Sequence, residues 1–385
     1  MRAYGNEAAA LASELIALRQ AFHRRPELGN REYETAARVE AWLHECGIPT
    51  KRLLGTAVVG TLRGGRAGGA VALRADMDAL PLQEATGAAF ASEVPNVMHA
   101  CGHDVHMAAA LGAARLLAAH REELPGTVVF LFQPDEEGSG GAQRMIDAGV
   151  LDGVDAVFGC HVSPELPAGT VGVRYGKFYA ASDTFRMTLT GRSAHGAERE
   201  KGADALAAAA ELATALLSLP RSFPRDRSVV SVGTLHAGTA GNIVAERAEL
   251  TGIIRTLGAE NRAAMRAMVR RTAERTAYRH GVALDCELRE SYPGVVNDDG
   301  MTRLVQSAAT ALYGAERVSV LTGPTMTTED FGCFLLRRPG AFYHVGAGCA
   351  LPLHSAAFLP DERAAVAAAA LHAAVAERFL NGETP

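Results

Sequence analysis

The chain has 385 residues, 48% hydrophobic and 21% charged, an ordinary globular mix with length enough for two domains. A net charge of −5, from 38 Lys and Arg against 43 Asp and Glu, provides no basic face for nucleic acid. No apolar run is long enough to span a membrane, Arg2, Glu7 and Glu14 interrupt any signal-like N-terminus, and six scattered cysteines (Cys46, Cys101, Cys160, Cys286, Cys333 and Cys349) with no CxxC pair read as reduced thiols of a cytoplasmic protein.

Ala8, Leu11, Leu15 and Leu18 recur at helical spacing and predict a helix over 7–22. A second helix, 32–46, closes at Gly47. Strands follow at 57–62 and 69–75, on either side of the turn Arg63-Gly64-Gly65-Arg66. The second is almost wholly apolar, as a strand covered on both faces is, and runs into Asp76-Met77-Asp78. Sites in open α/β sheets lie at the carboxyl ends of strands, so this carboxylate pair is either part of a site or a capped turn.

Met98-His99-Ala100-Cys101-Gly102-His103-Asp104-Val105-His106 then packs one thiol, three imidazoles and a carboxylate into nine residues. Thiolate, imidazole and carboxylate are transition-metal ligands, so the stretch reads as part of a metal site, against the plainer reading of ordinary core residues. Cys101 and His103, two apart, project to one side of an extended segment. A helix over 104–121 follows, and its dipole favours a thiolate at its start. The next strand, 127–132, ends in Gln133-Pro134-Asp135-Glu136-Glu137-Gly138. Three successive acids repel one another if buried bare, and a cation removes that cost. Neighbours on an extended chain face opposite ways, so one Glu can ligate while the other faces a substrate. A helix over 140–148 leads to strand 155–162, which brings His161 to its end.

From residue 182 polar and apolar residues alternate. The expected elements are strand 183–190, helix 203–219, strands 229–235 and 245–256 as a hairpin pair, an Arg-rich helix 259–280 and strand 281–290. This β-α-β-β-α-β order is ferredoxin-like and reads as a domain over 182–291, inserted between 1–181 and 292–385. Its alternating strands leave one sheet face uncovered by its own helices. The α/β pattern resumes with helix 298–313, strand 341–345, Leu353-His354-Ser355 and helix 361–380.

Arg74-Ala75-Asp76-Met77-Asp78-Ala79-Leu80-Pro81, Met98–Asp104, Gln133–Gly138, Gly159-Cys160-His161 and Leu353-His354-Ser355, in this order, resemble the M20 metallopeptidase family. The resemblance spans nearly the whole chain. It is to the amidohydrolase branch, which includes hippurate hydrolases, indole-acetyl-amino acid hydrolases and N-acyl-amino-acid deacetylases. It implies an α/β, zinc-peptidase-like catalytic domain with the insert as a lid and dimerisation domain, in a homodimer or higher homo-oligomer. It also implies two divalent metal ions, whether manganese, zinc, cobalt or nickel. By position Cys101, His103, Glu137, His161 and His354 match the metal ligands, the last through the resemblance alone. Glu136 matches the general base, which takes a proton from the attacking water and passes it to the leaving nitrogen. Asp76 is expected to orient a ligand, a role Asp104 and Glu329 could share; Asp78 and His99 read as structural. In the lid, His195 matches a group that stabilises the tetrahedral oxyanion, a role the resemblance allows to act across the dimer. Asn242 and Arg255 match groups that hold the substrate's free carboxylate, for which the guanidinium fork is suited.

The implied reaction is hydrolysis of N-acyl (acetyl, benzoyl or aryl-acetyl) amino acids to a carboxylate and a free amino acid. One departure bears on the pocket: where the family often has Pro-His-x-Gly after the lid histidine, this chain has Ala197-Glu198-Arg199-Glu200-Lys201-Gly202. A dipeptidase or aminopeptidase on the same scaffold is the near alternative, but no residue is evident that reads a free α-amine. A catalytically inert binder would need no Glu136-Glu137 pair. A nucleotide-binding reading of Gly138-Ser139-Gly140-Gly141 is weak, because the run lacks the lysine and the spacing of a phosphate loop.

Overall fold

The computed structural model describes residues 2–222 and 227–383. Its larger sheet runs Thr50–Leu53, Ala57–Arg63, Pro125–Gln133, Arg66–Asp76, Ala156–Ser163, Gly340–Gly346, Val171–Val173 and Val318–Val320, in spatial order. The central strands are parallel, Arg66–Asp76 lying between Pro125–Gln133 and Ala156–Ser163, with Gly340–Gly346 beyond. Antiparallel pairs extend the sheet on both sides. All of Ala156–Ser163 is buried, as is Arg66–Asp76 from Val71 onward, which is why these strands read as unbroken apolar runs. The register sets Asp76 opposite Gln133 and His344 opposite His161, so the Asp76, Gln133 and His161 strand ends lie along one edge of the sheet.

Two alanine-rich helices, His103–Ala119 and Arg363–Leu380, belong to the core on this sheet. Their small side chains allow a close crossing. A Cβ at Gly112 would lie 2.8 Å from that of Ala369 and 3.0 Å from the Leu15 side chain, so no larger residue fits without moving a helix.

The helix expected over 7–22 is two helices, Tyr4–Ala10 and Ala12–Arg24, meeting at Leu11. The hydrophobic spacing continues across the break because it reports which face is buried, not whether backbone hydrogen bonding is continuous. Strands Thr50–Leu53, Val171–Val173 and Val318–Val320 were not foreseen; three or four residues are too few to display a period.

The chain forms two compact units. One holds the residues up to Gly176, Val296–Gly323 and the residues from Asp330 onward; the other holds Lys177–Val295 with Pro324–Glu329. The return of Pro324–Glu329 to the second unit carries no local sequence signal, and it lies outside the insert expected at 182–291. The second unit is a four-stranded antiparallel sheet, ordered Ala283–Glu290, Ala181–Thr190, Arg247–Thr256, Ser228–Ala237, with helices Ala205–Ser218 and Ala259–His280. Phe185, Met187, Leu212, Leu250 and Met265 are among its buried core. Among the described residues no helix is long and apolar enough to cross a membrane.

Candidate metal centre

The chain enters helix His103–Ala119 through Gly102, whose φ is +85°. A Cβ there would come within 2.4 Å of Val162 Cγ2, so both the conformation and the space require glycine. This tight turn brings Cys101 against strand Ala156–Ser163, with Sγ 3.4 Å from His161 Nε2. The potential ligand atoms of Cys101, His103 and His161 lie within 4.8 Å of one another, and so do those of Cys101, Glu137 and His354. Cys101 is common to both groups. A third group joins His103, Glu136 and Glu137. His354 arrives on a turn at φ +64° and donates its backbone N–H to Ala100 O at 2.9 Å; its Nε2 lies 3.0 Å from Glu137 Oε1. The structure thus brings together all five expected ligands and Glu136.

Imidazole tautomers follow from the backbone. His103 Nδ1 lies 2.8 Å from the Asp78 carbonyl and His161 Nδ1 2.7 Å from that of Val162. A carbonyl only accepts, so each Nδ1 carries a proton and Nε2 is the nitrogen turned toward the centre of the cluster. His103 Nε2 is buried and has no hydrogen-bond partner. Burial opposes an imidazolium at His103, but Asp76, Asp78 and Glu137 outweigh it and push this group up to about 10. Burial, reinforced by Glu137 and Glu136, holds the Cys101 thiol well above the ordinary range. Cys101 keeps its proton through burial first and its acidic neighbours second, His103 through its acidic neighbours, and a bound cation would offset the negative charge common to both. One thiol, three imidazole nitrogens and a carboxylate form a donor set suited to a transition metal.

The surrounding carboxylates divide differently from the sequence expectation. Asp76, expected to orient a ligand, accepts from Arg74 Nη1 and from His106 Nδ1, each at 2.6 Å, and lies 3.8 Å from His103 Nε2, with no direct hydrogen bond to that ring. Asp78, read as structural, is the residue that meets a candidate ligand. Its carbonyl accepts a hydrogen bond from His103 Nδ1–H and its Oδ2 accepts the Glu137 backbone N–H at 3.0 Å. The first contact uses backbone, which leaves no trace in residue identity. Arg74 also donates to Gln133 and Asp330, and Asp330 accepts from the backbone N–H groups of Gly141 and Ala142, which ties the strand ends to the start of helix Ala142–Asp147. His106 belongs to the stretch read as part of a metal site, but the sequence reading gives it no role of its own. Its signal was the i, i+3 spacing from His103, which puts both on one helix face.

Asp104 turns away from the ligands and pairs with Arg19 Nε at 2.7 Å and His23 Nδ1 at 2.8 Å, all buried. Its contacts are thus with Arg19 and His23 rather than with a candidate ligand, and His99 and Glu329 are likewise buried. Burial lowers His23, but Asp104 and Glu84 outweigh it and raise it from 6.5 to about 8. A raised folded-state value means the contribution to stability is complete below about 6.5 and is lost as pH rises through about 8. The stability difference between the wild type and His23→Gln, measured by urea unfolding, should therefore shrink from pH 6 to pH 9. A difference that stays constant would contradict this.

Residues 72–381 match the family described as peptidase family M20/M25/M40. The chain belongs to this family. N-acetylcysteine deacetylase of Bacillus subtilis is 38% identical over 371 residues, covering 95% of this chain and 97% of the relative. Thermostable carboxypeptidase 2 of Saccharolobus solfataricus is 36% identical over 388 residues, covering 98% of each. The crystal structure of the Bacillus subtilis YXEP protein, described as a dinuclear metal binding peptidase of the M20 family, superposes with a TM-score of 0.87 at 36% identity, covering 97% of this chain and 99% of that one. This M20 chain is an enzyme of the amidohydrolase branch.

In the second unit of this M20 enzyme, His195 is exposed and its Nδ1 accepts the Ala197 N–H at 3.1 Å, which leaves the proton on Nε2. Asn242 lies beside it, its carbonyl accepting the Gly196 N–H at 2.8 Å. Arg255 is half-buried and donates to Ser182 Oγ. It stands near one end of strand Arg247–Thr256, whereas the His195 loop joins the other end, where Gly191 N–H meets Glu246 O. Eight residues of extended chain from Arg247 to Arg255 span about 26 Å, so the unit brings His195 and Asn242 together but not Arg255. In the 197–202 run Lys201 pairs with Glu198, and Arg199 with Asp204.

Proposed function

We propose that this enzyme hydrolyses the amide bond of N-acyl amino acids, with acetyl, benzoyl or aryl-acetyl groups on the acyl side, to a carboxylate and a free amino acid. The observation that carries the reading is the pair of three-residue groups sharing Cys101, with Glu136 beside them. Two divalent ions (manganese, zinc, cobalt or nickel) would be held by Cys101, His103 and His161 and by Cys101, Glu137 and His354. Bound there, they would polarise the amide carbonyl and make water acidic enough to attack it. Glu136 takes the proton from the attacking water and returns it to the leaving nitrogen. His195 Nε2–H donates to the carbonyl oxygen as that atom gains charge. Asn242 and the Arg255 fork hold the free carboxylate of the amino acid.

The separation of His195 and Asn242 from Arg255 within one chain supports a homodimer in which a second copy supplies the first two. In domain terms, we read residues 1–181 and 292–385 as the catalytic domain and 182–291 as the lid, to whose compact unit Pro324–Glu329 also belongs. Six free cysteines fit a cytoplasmic enzyme.

The relatives' names support acyl transfer to water from an amino acid. One of them also favours a second reading, carboxypeptidase action. A peptide's C-terminal bond presents the same amide next to a free carboxylate, so the proposed residues suit both. A dipeptidase or aminopeptidase reading needs a site for the free amine. The test is amine release from N-acetyl, N-benzoyl and indole-acetyl amino acids, dipeptides and longer peptides, with and without a chelator. Chelator-sensitive release from acyl amino acids is the expected result. Release from peptides alone moves the assignment to a peptidase, and release indifferent to the chelator overturns the metal role.

A further inference from the structure

His106 is fully buried on the same helix face as His103, and neither of its ring nitrogens is spare. Nε2 accepts the backbone N–H of Val162 at 2.9 Å, so Nδ1 carries the proton and donates a hydrogen bond to Asp76 Oδ1 at 2.6 Å. Val162 is also the residue whose carbonyl orients the His161 ring through Nδ1 at 2.7 Å. The imidazoles of His106 and His161 meet edge to face with centroids 4.6 Å apart. The need for this contact comes from the sheet. The pairing of Ala156–Ser163 with Arg66–Asp76 ends at Gly159, and among the described residues no strand pairs with it on this side beyond that point. His106 takes the place of the missing strand at the residue that sets the His161 ring.

We infer that His106 is a positioning residue for His161. The path runs from Arg74 through Asp76 and the His106 ring to the Val162 peptide, and it fixes the direction of the His161 Nε2 lone pair. This rests on the two-ion reading above. The geometry separates His106 from a ligand role, although its atoms lie close enough to Asp76 and His103 to form a ligand-like group. A nitrogen already accepting an N–H has no lone pair left for an ion, and one carrying a proton has none either.

Asparagine and glutamine divide the two contacts. An Asn amide places a donor near the Nδ1 position and cannot reach Val162, whereas a Gln amide places an acceptor near the Nε2 position. Metal-free wild type, His106→Asn and His106→Gln are compared by chelator competition with zinc, by bound equivalents and by thermal unfolding. The wild type should bind two equivalents. His106→Asn should keep one tight ion and hold the second about 10–100-fold more weakly, while His106→Gln recovers much of that loss. Visible spectra with cobalt should show the altered site in His106→Asn and a near-native one in His106→Gln. Equal affinity in all three proteins, or equal loss in both variants, overturns the inference. Complete absence of one ion from both variants makes His106 a ligand and overturns it as well. A wild type that binds fewer than two ions overturns the metal reading itself, a result distinct from the variant comparisons.

Discussion

Glu136→Gln is expected to lower turnover of an N-acyl amino acid by about 10²–10⁴-fold, a barrier increase of about 3–5 kcal/mol, while both ions remain bound. The side chain keeps its size but can no longer take a proton. Glu136 is buried at the edge of the candidate cluster, where its atoms also fall within 4.8 Å of those of His103 and Glu137. That placement makes the metal content of the variant as informative as its rate. A variant that is inactive and holds two ions has lost a proton carrier. A variant that has lost an ion identifies Glu136 as a ligand, and its inactivity then says nothing about proton transfer. A variant of full activity would contradict the role outright.

Metal loading should depend steeply on pH. Without a cation the buried Cys101 thiol stays protonated well above its ordinary range, and His103 is pushed up to about 10. Binding at Cys101 and His103 must displace both protons, so affinity rises with pH across the neutral range. With two protons released the increase is about a hundredfold per pH unit, and one proton would give about tenfold. Chelator competition at pH 6, 7 and 8 measures the slope, and proton release in weakly buffered solution counts the protons directly. A flat profile would mean that the ion does not use these two groups. The same linkage makes mild acid an efficient way to strip the protein, and neutralisation with metal present should restore it.

Much of the centre was readable because its chemistry is concentrated where strands end. Cys101 and His103 stand out by composition, Glu136 and Glu137 by the cost of burying adjacent acids, and His161 by its place on a fully apolar strand. His354 has no such marker. It sits on a left-handed turn and is drawn in by a backbone hydrogen bond to Ala100, so only the resemblance pointed to it. Asp78 meets His103 most closely through its carbonyl, a backbone contact that residue identity does not signal. In the fold, periodicity located every long element but not the interruption at Leu11, since the same face is buried on both sides of it. The return of Pro324–Glu329 to the second unit is a long-range event with no local pattern.

The central claim is that a metal cluster built on Cys101 hydrolyses an N-acyl amino acid. Its most direct test is to strip the protein of metal and titrate zinc or manganese back while measuring release of free amino acid from an N-acetyl and an N-benzoyl substrate. The account predicts no release from the stripped protein and activity that levels off at two equivalents of metal per chain. Undiminished release from the stripped protein would contradict it.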